Sequence, residues 1–598
     1  LFSSFVLYRS YTKMQQIVTV ARSVLSWVWK NGLFLSLAVA AAALKLWLLD
    51  SQDLTYQGYS FHDEMLFVRL AHNIIESGWL GPYDNLTLAK GTFLPLFLVF
   101  NWALGLPLLV TQQLLYIAAV TAISWAIRPL IKNRFLLLFL FIILLFQPAS
   151  FEGDSTARIL RSSIGTSLSL FIFAGFFRLC LTKIRQVEAI WLGSLTGLAL
   201  GLFWINREDN LWILPAVAIL LGGKWVISFF RHQINKPLFT FSSAVLCWAV
   251  LPVFLVSLVN VHFYQIFTVT EFQHFAFPEA YGALLRVRPA QRYRYIPVTR
   301  STRQILYKLS PAFKELEIPL EDHYASGWAE NSVDLTGFKP REKQVAGGWW
   351  MWALRDAVNA AGYGSSGATA AAYYIRLTNE INALCDDGTL ICTPPHKVMT
   401  PVLSVDDYRR IIPGFFELWI AYFSRQHLSV YNSHSSGTEL DEYLFHSLTH
   451  EKLYHNEDYY FDDWNQATLK QKQLYVLEQL TRKYQTYALP FVLLGILSYI
   501  YIAIRRDQYA WVLLAIPAST LFLNLVVTII HFTSFWAFGN VYLSPMYPLF
   551  LIFSFLSILR VPSHLRREWE FSPFNKTKPR ILKKGFSDLV RVDPVSQN

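Results

Sequence analysis

The sequence predicts an all-α polytopic membrane protein with a large polar domain inserted between early and late spans. Three observations carry that expectation. Of 598 residues, 54% are hydrophobic and only 16% are charged. The runs 135–149, 188–205, 240–262, 487–504 and 533–558 are almost free of charge, and about 18 residues at ~1.5 Å rise cover the hydrocarbon core of a bilayer. Residues 265–485 change character, being polar, mixed in charge and rich in Tyr, Trp and His.

The elements follow in order. Residues 1–31 carry Lys13, Arg22 and Lys30 ahead of the first span, a signal-anchor pattern that puts this segment in the cytoplasm, with Met14 suited to be its start. The first span is 32–50, and Lys45 near its outer end is placed to snorkel to the headgroups. An outer loop, 51–108, follows. Its last part, 92–108, is apolar and bounded by Pro95 and Pro107. If both 92–108 and 109–127 crossed, Arg128, Lys132 and Arg134 would lie outside and every later basic loop would have the wrong sign. We therefore read 92–108 as re-entrant or interfacial. Ten spans result: 32–50, 109–127, 135–149, 159–181, 188–205, 209–224, 240–262, 487–504, 510–529 and 533–558. They divide the chain into a transmembrane module (32–264), an extracytoplasmic domain (265–485), C-terminal helices (486–558) and a basic cytoplasmic tail (559–598). Gly193, Gly197 and Gly201 share one helix face and permit close helix contact.

The excess of 52 Lys+Arg over 41 Asp+Glu, +11, would suggest nucleic acid in a soluble protein. Here the positive-inside bias and anionic headgroups explain it, the tail from Arg560 alone holding nine Lys/Arg against four Asp/Glu. Cys180 and Cys247 lie in apolar runs and read as packing residues. Cys385 and Cys392 flank the turn Asp386-Asp387-Gly388 and are expected to form a disulfide on the outer side.

Within the outer domain, Trp349–Asn359 and Ala368–Leu384 read as helices separated by Gly362, Gly364 and Gly367, and Leu474–Tyr484 leads into the next span. The alternation of strands is missing, so helix and loop should dominate. Arg286, Arg288, Arg292, Arg294, Arg300 and Arg303, interleaved with Tyr293 and Tyr295, form either a solvated, headgroup-facing surface or a site for an anionic acceptor or lipid phosphate. Trp349, Trp350 and Trp352 serve packing or interface anchoring, or form a platform for a sugar. His446 and His450, one turn apart before Glu451, lack the further ligands and the order of a zinc motif and read as surface histidines.

The chemistry concentrates elsewhere. Three charged clusters stand at span ends on one membrane face: His62-Asp63-Glu64; Asp154 with Arg158 and Arg161; and Arg207-Glu208-Asp209. Charge near lipid is costly, so its gathering at one surface suggests a site. Asp63 and Glu64 open an amphipathic helix with Leu66, Phe67, Leu70, Ala71 and Ile74 on one side. The plain alternatives are helix-start acids favoured by the macrodipole and a polar hairpin with a local Arg207 ion pair. Arg158 and Arg161, three residues apart at the start of a span, would offer two forks to a phosphate.

With an acidic pair in the first outer loop, a following juxtamembrane helix and many spans, the chain resembles the GT-C glycosyltransferase superfamily. Lys90-Gly91-Thr92-Phe93-Leu94-Pro95 is similar to the Lys/Pro-containing stretch before an apolar helix in the aminoarabinose-transferase and protein-mannosyltransferase branches. The likeness covers about residues 32–262 and, less specifically, the last three spans. The family often separates its acidic pair, whereas Asp63 and Glu64 are adjacent, which leaves open which is the base. The resemblance implies a GT-C-like fold and a polyprenyl-phosphate sugar donor, with a hydroxyl of a glycan, lipid or protein as acceptor. It also implies action on the extracytoplasmic face of a bacterial-type cytoplasmic (inner) membrane. Asp63 is then the expected base with Glu64 as orienting partner or substitute. Lys90, Arg158, Arg161 and Arg207 would bind the donor phosphate, and His62, Asp154, Glu208 and Asp209 would orient substrates. Inversion follows from one displacement with one base. No cofactor or metal is expected, although a divalent metal could bridge carboxylates and phosphate. Three rivals remain: a ligase or polymerase of lipid-linked glycans; a non-catalytic scaffold whose outside domain binds a partner; and a transporter or flippase, whose usual mid-membrane charges and inverted repeats are not evident.

Overall fold

In a bilayer every backbone polar group must be bonded internally, so apolar runs of this length become helices. A computed structural model describes residues 32–571 apart from 233–234, 425–427, 432–433, 452 and 454–462. Lys13, Arg22, Lys30 and the tail beyond 571 lie outside the described residues. In chain order the helices used below are α1 (Gly32–Leu49), α2 (Glu64–Ser77), α3 (Phe93–Leu104), α4 (Leu108–Leu130) and α5 (Arg134–Leu145). Then come α6 (Ser162–Leu181), α7 (Gln186–Asn206), α8 (Asn210–Phe230) and α9 (Lys236–Tyr264). The polar region supplies α10 (Ala276–Arg286), α11 (Gly347–Val358), α12 (Gly367–Asp386) and α13 (Val405–Phe423). The chain closes with α14 (Leu469–Ile504), α15 (Ala510–Thr533) and α16 (Met546–Phe571). Among the described residues the only β-pairing is a few isolated bridges.

Among the described residues eight helices, α1, α4, α6, α7, α8, α9, α14 and α15, are long and apolar enough to cross a membrane. The remaining two segments expected from the sequence take other forms. Run 135–149 becomes α5 and a continuation, Pro148–Thr156, bent from it by 57°; counted as one span, the pair makes nine. Run 533–558 is not continuous: α15 ends at Thr533, and α16 starts only at Met546, its apolar part being the short Met546–Pro562. Between them the helix is interrupted before a short turn of helix, Asn540–Leu543, and the Asn540 side chain is tied to other segments, accepting from Tyr422 at 2.8 Å and donating to Ser155 at 2.7 Å. The 92–108 segment is a short apolar helix, α3.

The break after α5 leaves carbonyls without helical partners, which is costly away from water. Three side chains from three different spans meet them in succession. Tyr484 donates to Ile143 O, Tyr116 to Leu144 O at 2.7 Å, and Lys45 to Leu145 O at 2.6 Å. Lys45 therefore does not snorkel. It is buried, bonded also to Ser150 Oγ at 2.8 Å, and completes the end of a neighbouring helix. The glycine face of α7 does what its spacing suggests: a Cβ at Gly193, Gly197 or Gly201 would sit 2.8, 2.5 and 2.6 Å from the Phe241, Val245 and Ala249 carbonyls of α9.

A second core forms around α10, α11 and α12, with Trp350, Phe313, Tyr373 and Leu377 buried in it. Cys385 and Cys392 are disulfide-bonded at its edge. This core is fastened to the loop between α2 and α3. Arg355 donates to Asn85 O at 2.8 Å and pairs with Glu271, and Asn85 donates to Asp356 at 2.5 Å. The chain then returns to the membrane helices through α13, whose Trp419 and Phe423 pack on Phe550 of α16.

Candidate active site

The sequence at the start of α2 favours a helix N-terminus, and Asp63 occupies the N-cap position, but its carboxylate makes no capping bond. It pairs with Lys90 instead. Lys90 reaches it because Gly91 lets the chain lie directly on the end of α7, where a Cβ would come within 2.3 Å of Ile205 O. The next residue points the other way. Glu64 is fully buried, accepts the Gln57 N–H at 2.8 Å and takes Arg158 Nε at 2.7 Å.

The other two clusters close on the same place. Arg161 forks onto Glu208 at 2.7 and 3.3 Å, while Asn206 Nδ2 bonds the Arg161 carbonyl at 3.2 Å, tying the start of α6 to the end of α7. Arg207 forks onto Asp209 at 2.8 and 2.7 Å and donates to Val541 O at 2.9 Å. Four cations thus face four carboxylates, one to one. Aromatic faces join them: the Arg161 guanidinium stands 5.6 Å from the Phe67 ring centre, Lys90 Nζ 5.8 Å from Trp352, and Arg207 4.8 Å from Tyr542. His62 lies against Trp328 and Trp352, ring centres 4.7 and 4.8 Å away.

The pairs are not equivalent in exposure. The Asp63 side chain is 52% exposed and Glu64 is 0%. Asp63 nevertheless has Lys90 bonded to it and Arg161 and Arg158 close by, and we take its exposed side to face a recess among these groups. Burial works to raise its pKa, but the Lys90 ammonium, with Arg161 and Arg158 behind it, prevails and holds the carboxyl below the usual carboxylate value. Burial pushes Glu64 up, against the pull of Arg158. Burial also lowers Lys90, which Asp63 partly offsets. His62 is pushed down to about 4 by burial and then by Lys90. Beside this recess a cleft is lined by Arg161, Arg207, Asp209, Tyr542 and Trp212.

Several expected positions differ. Arg158 and Arg161 do not share a helix face, because α6 begins at Ser162 and Arg158 lies in the preceding extended turn. They meet the site from different backbone segments. Asp154 is exposed and acts at a distance, adding to the fields on Arg158 and on Glu152. Trp350 presents no face to a sugar, since it is fully buried in the second core; Trp349 is partly buried against that core, and Trp352 alone of the three reaches His62 and Lys90. His446 and His450 each spend a ring nitrogen on a backbone carbonyl, while Glu451 accepts the Leu109 N–H at 2.8 Å and so caps α4. Among the described residues, no three His, Cys, Asp or Glu side chains gather as a metal-binding set. Sequence reasoning missed Tyr542 and Trp328. A polar interruption, Gly539-Asn540, in an apolar run was the available signal for the first; Trp328 carried none.

No family model matches the sequence, and no curated protein matches it. Solved structures similar to this chain include the Archaeoglobus fulgidus oligosaccharyltransferase in the apo form, at 13% identity and a TM-score of 0.38 over 94% of this chain and 54% of that one. The archaeal oligosaccharyltransferase AglB from Archaeoglobus fulgidus, in complex with an inhibitory peptide and a dolichol-phosphate, aligns at 11% identity and a TM-score of 0.39 with the same coverage of 94% and 54%. ArnT from Cupriavidus metallidurans bound to undecaprenyl phosphate aligns at 14% identity and a TM-score of 0.31, over 92% of this chain and 82% of that one. This chain spans about half the length of the oligosaccharyltransferase chains. At these identities and scores the function must be argued from this chain's own residues.

Proposed function

We propose that the protein is a membrane glycosyltransferase. It moves a hexosyl or pentosyl group from a polyprenyl-phosphate donor to a hydroxyl of a glycan, lipid or protein acceptor, on the extracytoplasmic face of a bacterial-type cytoplasmic membrane. The observation that supports it best is the recess in which one half-exposed carboxylate, Asp63, sits among cations that all have carboxylate partners.

The chemistry needs a base for the acceptor hydroxyl and cations for the departing phosphate. Asp63 is the carboxylate an acceptor can touch; Glu64 is sealed against Arg158 and is a positioning residue. In the resting arrangement Lys90 keeps Asp63 a weak base. A donor phosphate binding Lys90 and Arg161 removes that counterion and places negative charge beside the carboxylate. Both effects raise the Asp63 pKa, so the donor itself prepares the base. The acceptor oxygen then attacks the anomeric carbon, its proton passes to Asp63, and the bond from that carbon to the phosphate oxygen breaks. The electron pair leaves on the lipid phosphate, held by Lys90, Arg161 and Arg207. One displacement inverts the anomeric centre; the retaining route requires a second free carboxylate on the other side. Phe67 and Trp352 provide the apolar wall of the recess.

The test is Asp63→Asn in proteoliposomes, following transfer of labelled sugar from a polyprenyl-phosphate donor. Loss of a positioned base predicts a fall in kcat of about 10²–10⁴-fold. Unchanged transfer removes Asp63 from the role. Movement of substrate across the bilayer without glycosyl transfer would make the protein a transporter, and products growing by blocks instead of single sugars would make it a glycan ligase or polymerase.

A further inference from the structure

The basic run of the outer domain divides in two. Arg286, Arg300 and Arg303 are used within the fold. Arg286 bonds Asp386, Asn382 and the Thr393 carbonyl, and the other two converge on Glu321. Arg288, Arg292 and Arg294 instead line a cavity of about 380 Å³ between the outer domain and the end of α15. Tyr293, Tyr295 and Phe532 contribute to its wall, and it shares no lining residue with the cleft beside Asp63. Its size falls within the roughly 300–1,000 Å³ of small-ligand sites.

Charge in this cavity is unbalanced. Its one lining carboxylate, Asp407, is taken by Arg292 at 2.6 Å and by Ser404 at 2.7 Å. Arg294 gives its Nε to Phe532 O at 3.2 Å, and its terminal nitrogens have no hydrogen-bond partner among the described residues. Arg288 has no side-chain partner among them at all and is exposed. Two guanidiniums therefore present forks to whatever enters, the geometry that suits a phosphate.

The second observation is α13, which begins beside the cavity. Val405, Tyr408, Ile412, Phe416 and Ile420 recur at three- and four-residue spacing and are 47–69% exposed. The opposite face packs on α15, so tightly that a Cβ on Gly414 would lie 2.2 Å from the Phe532 ring. An apolar stripe fixed to a membrane helix and starting at a basic cavity fits one kind of occupant, an amphiphile with an anionic head. We propose that this cavity binds the phosphate of an anionic membrane lipid through Arg288 and Arg294, with the acyl chains lying along the exposed stripe of α13.

The full chain in neutral detergent is titrated with dioctanoyl phosphatidylglycerol, dioctanoyl phosphatidylcholine and inorganic phosphate, with binding read by intrinsic tryptophan fluorescence or calorimetry. The anionic lipid should bind, and binding should weaken as salt rises. Arg288→Gln should weaken it roughly tenfold, the loss expected for one charge-assisted contact. Ile412→Ser with Phe416→Ser should weaken it without changing the salt dependence. Arg288→Gln keeps the test sound if Arg294→Gln fails to fold, because the Arg288 side chain supports nothing in the structure. Equal affinity for the zwitterionic lipid, or no effect of Arg288→Gln, overturns the proposal. Inorganic phosphate binding as tightly as the lipid overturns the lipid as the source of the anion.

Discussion

Gly91→Ala tests how the site is built without removing any charged group. The added methyl would stand 2.3 Å from Ile205 O, 2.7 Å from Asn206 O and 2.9 Å from the Asn206 carbonyl carbon. All three are backbone atoms at the end of α7, and Asn206 is bonded to Arg161, so rotating a side chain gives no relief. To reach even 3.0 Å, the closest approach real Cβ atoms tolerate, the chain carrying Lys90 must retreat by about 0.7 Å. Overpacking of this kind costs roughly 1–3 kcal/mol of stability. The functional cost is larger. Lys90 is held between Asp63 and the Arg161–Glu208 pair, and a displacement near 1 Å at a reacting centre costs on the order of 10²-fold. We expect Gly91→Ala to lower the melting temperature modestly and to cut sugar transfer by about ten- to a hundredfold, with an intact elution profile. Gly105, at the end of α3, is the control, since nothing lies within 4 Å of its Cβ position, although its positive φ of 66° adds a local strain that the stability assay will register. If Gly91→Ala transfers sugar at the normal rate, the close approach of these two backbones does not position the site.

Two further outcomes follow from the same pairs. Arg158→Met strands Glu64, which is fully buried, as an uncompensated charge; removing one partner of such a pair costs about 3–5 kcal/mol, and Glu64→Gln added to Arg158→Met should recover most of that loss in thermal unfolding. A double variant no more stable than the single one would mean that the pair is not the source. His62, pushed down to about 4 from the ordinary 6.5, is the case of a depressed folded-state value. Its contribution to stability is complete above pH 6.5 and lost as pH falls toward 4. His62→Gln should therefore flatten the fall in melting temperature across that window, and identical slopes for the two proteins would refute the assignment.

Much of this architecture is legible in the sequence, for identifiable reasons. Long apolar runs report directly on the bilayer and become helices long enough to cross it. The three glycines of α7 and the close pair Cys385 and Cys392 are local patterns whose partners are constrained by spacing. The failures share the opposite property. Lys45 looked like a snorkelling residue because its partner, Leu145 O, lies 100 positions away and exists only because α5 breaks. Run 533–558 looked continuous because hydropathy averages over Asn540, whose partners Tyr422 and Ser155 are even more distant in sequence. Trp350 and Trp352 are two residues apart, and only the packing of α11 decides that one enters the core and the other the recess. The charged clusters could be found because charge is rare near these spans. Their matching could not: apart from Arg207 with Asp209, the partners are 27, 94 and 47 residues apart.

That matching bears on how the recess would work. Four cations brought together without counterions would repel one another and would not stay desolvated. On the proposed function, the carboxylates would hold the cations in place until a donor phosphate replaces one of them. Which carboxylate yields first depends on how little is lost when its pair opens. Glu64 cannot yield, being sealed and bonded to backbone as well. Glu208 and Asp209 are each held by a two-pronged guanidinium fork, and Arg207 is anchored a third time on Val541 O. Asp63 is held by a single ammonium, whose point charge has no fork to align, and it is the most solvent-accessible of the four. The exchange that costs least is thus Lys90 passing from Asp63 to an incoming phosphate. On the proposed function, the same exchange would free the most exposed of the four carboxylates, so that donor binding and base activation would be a single event.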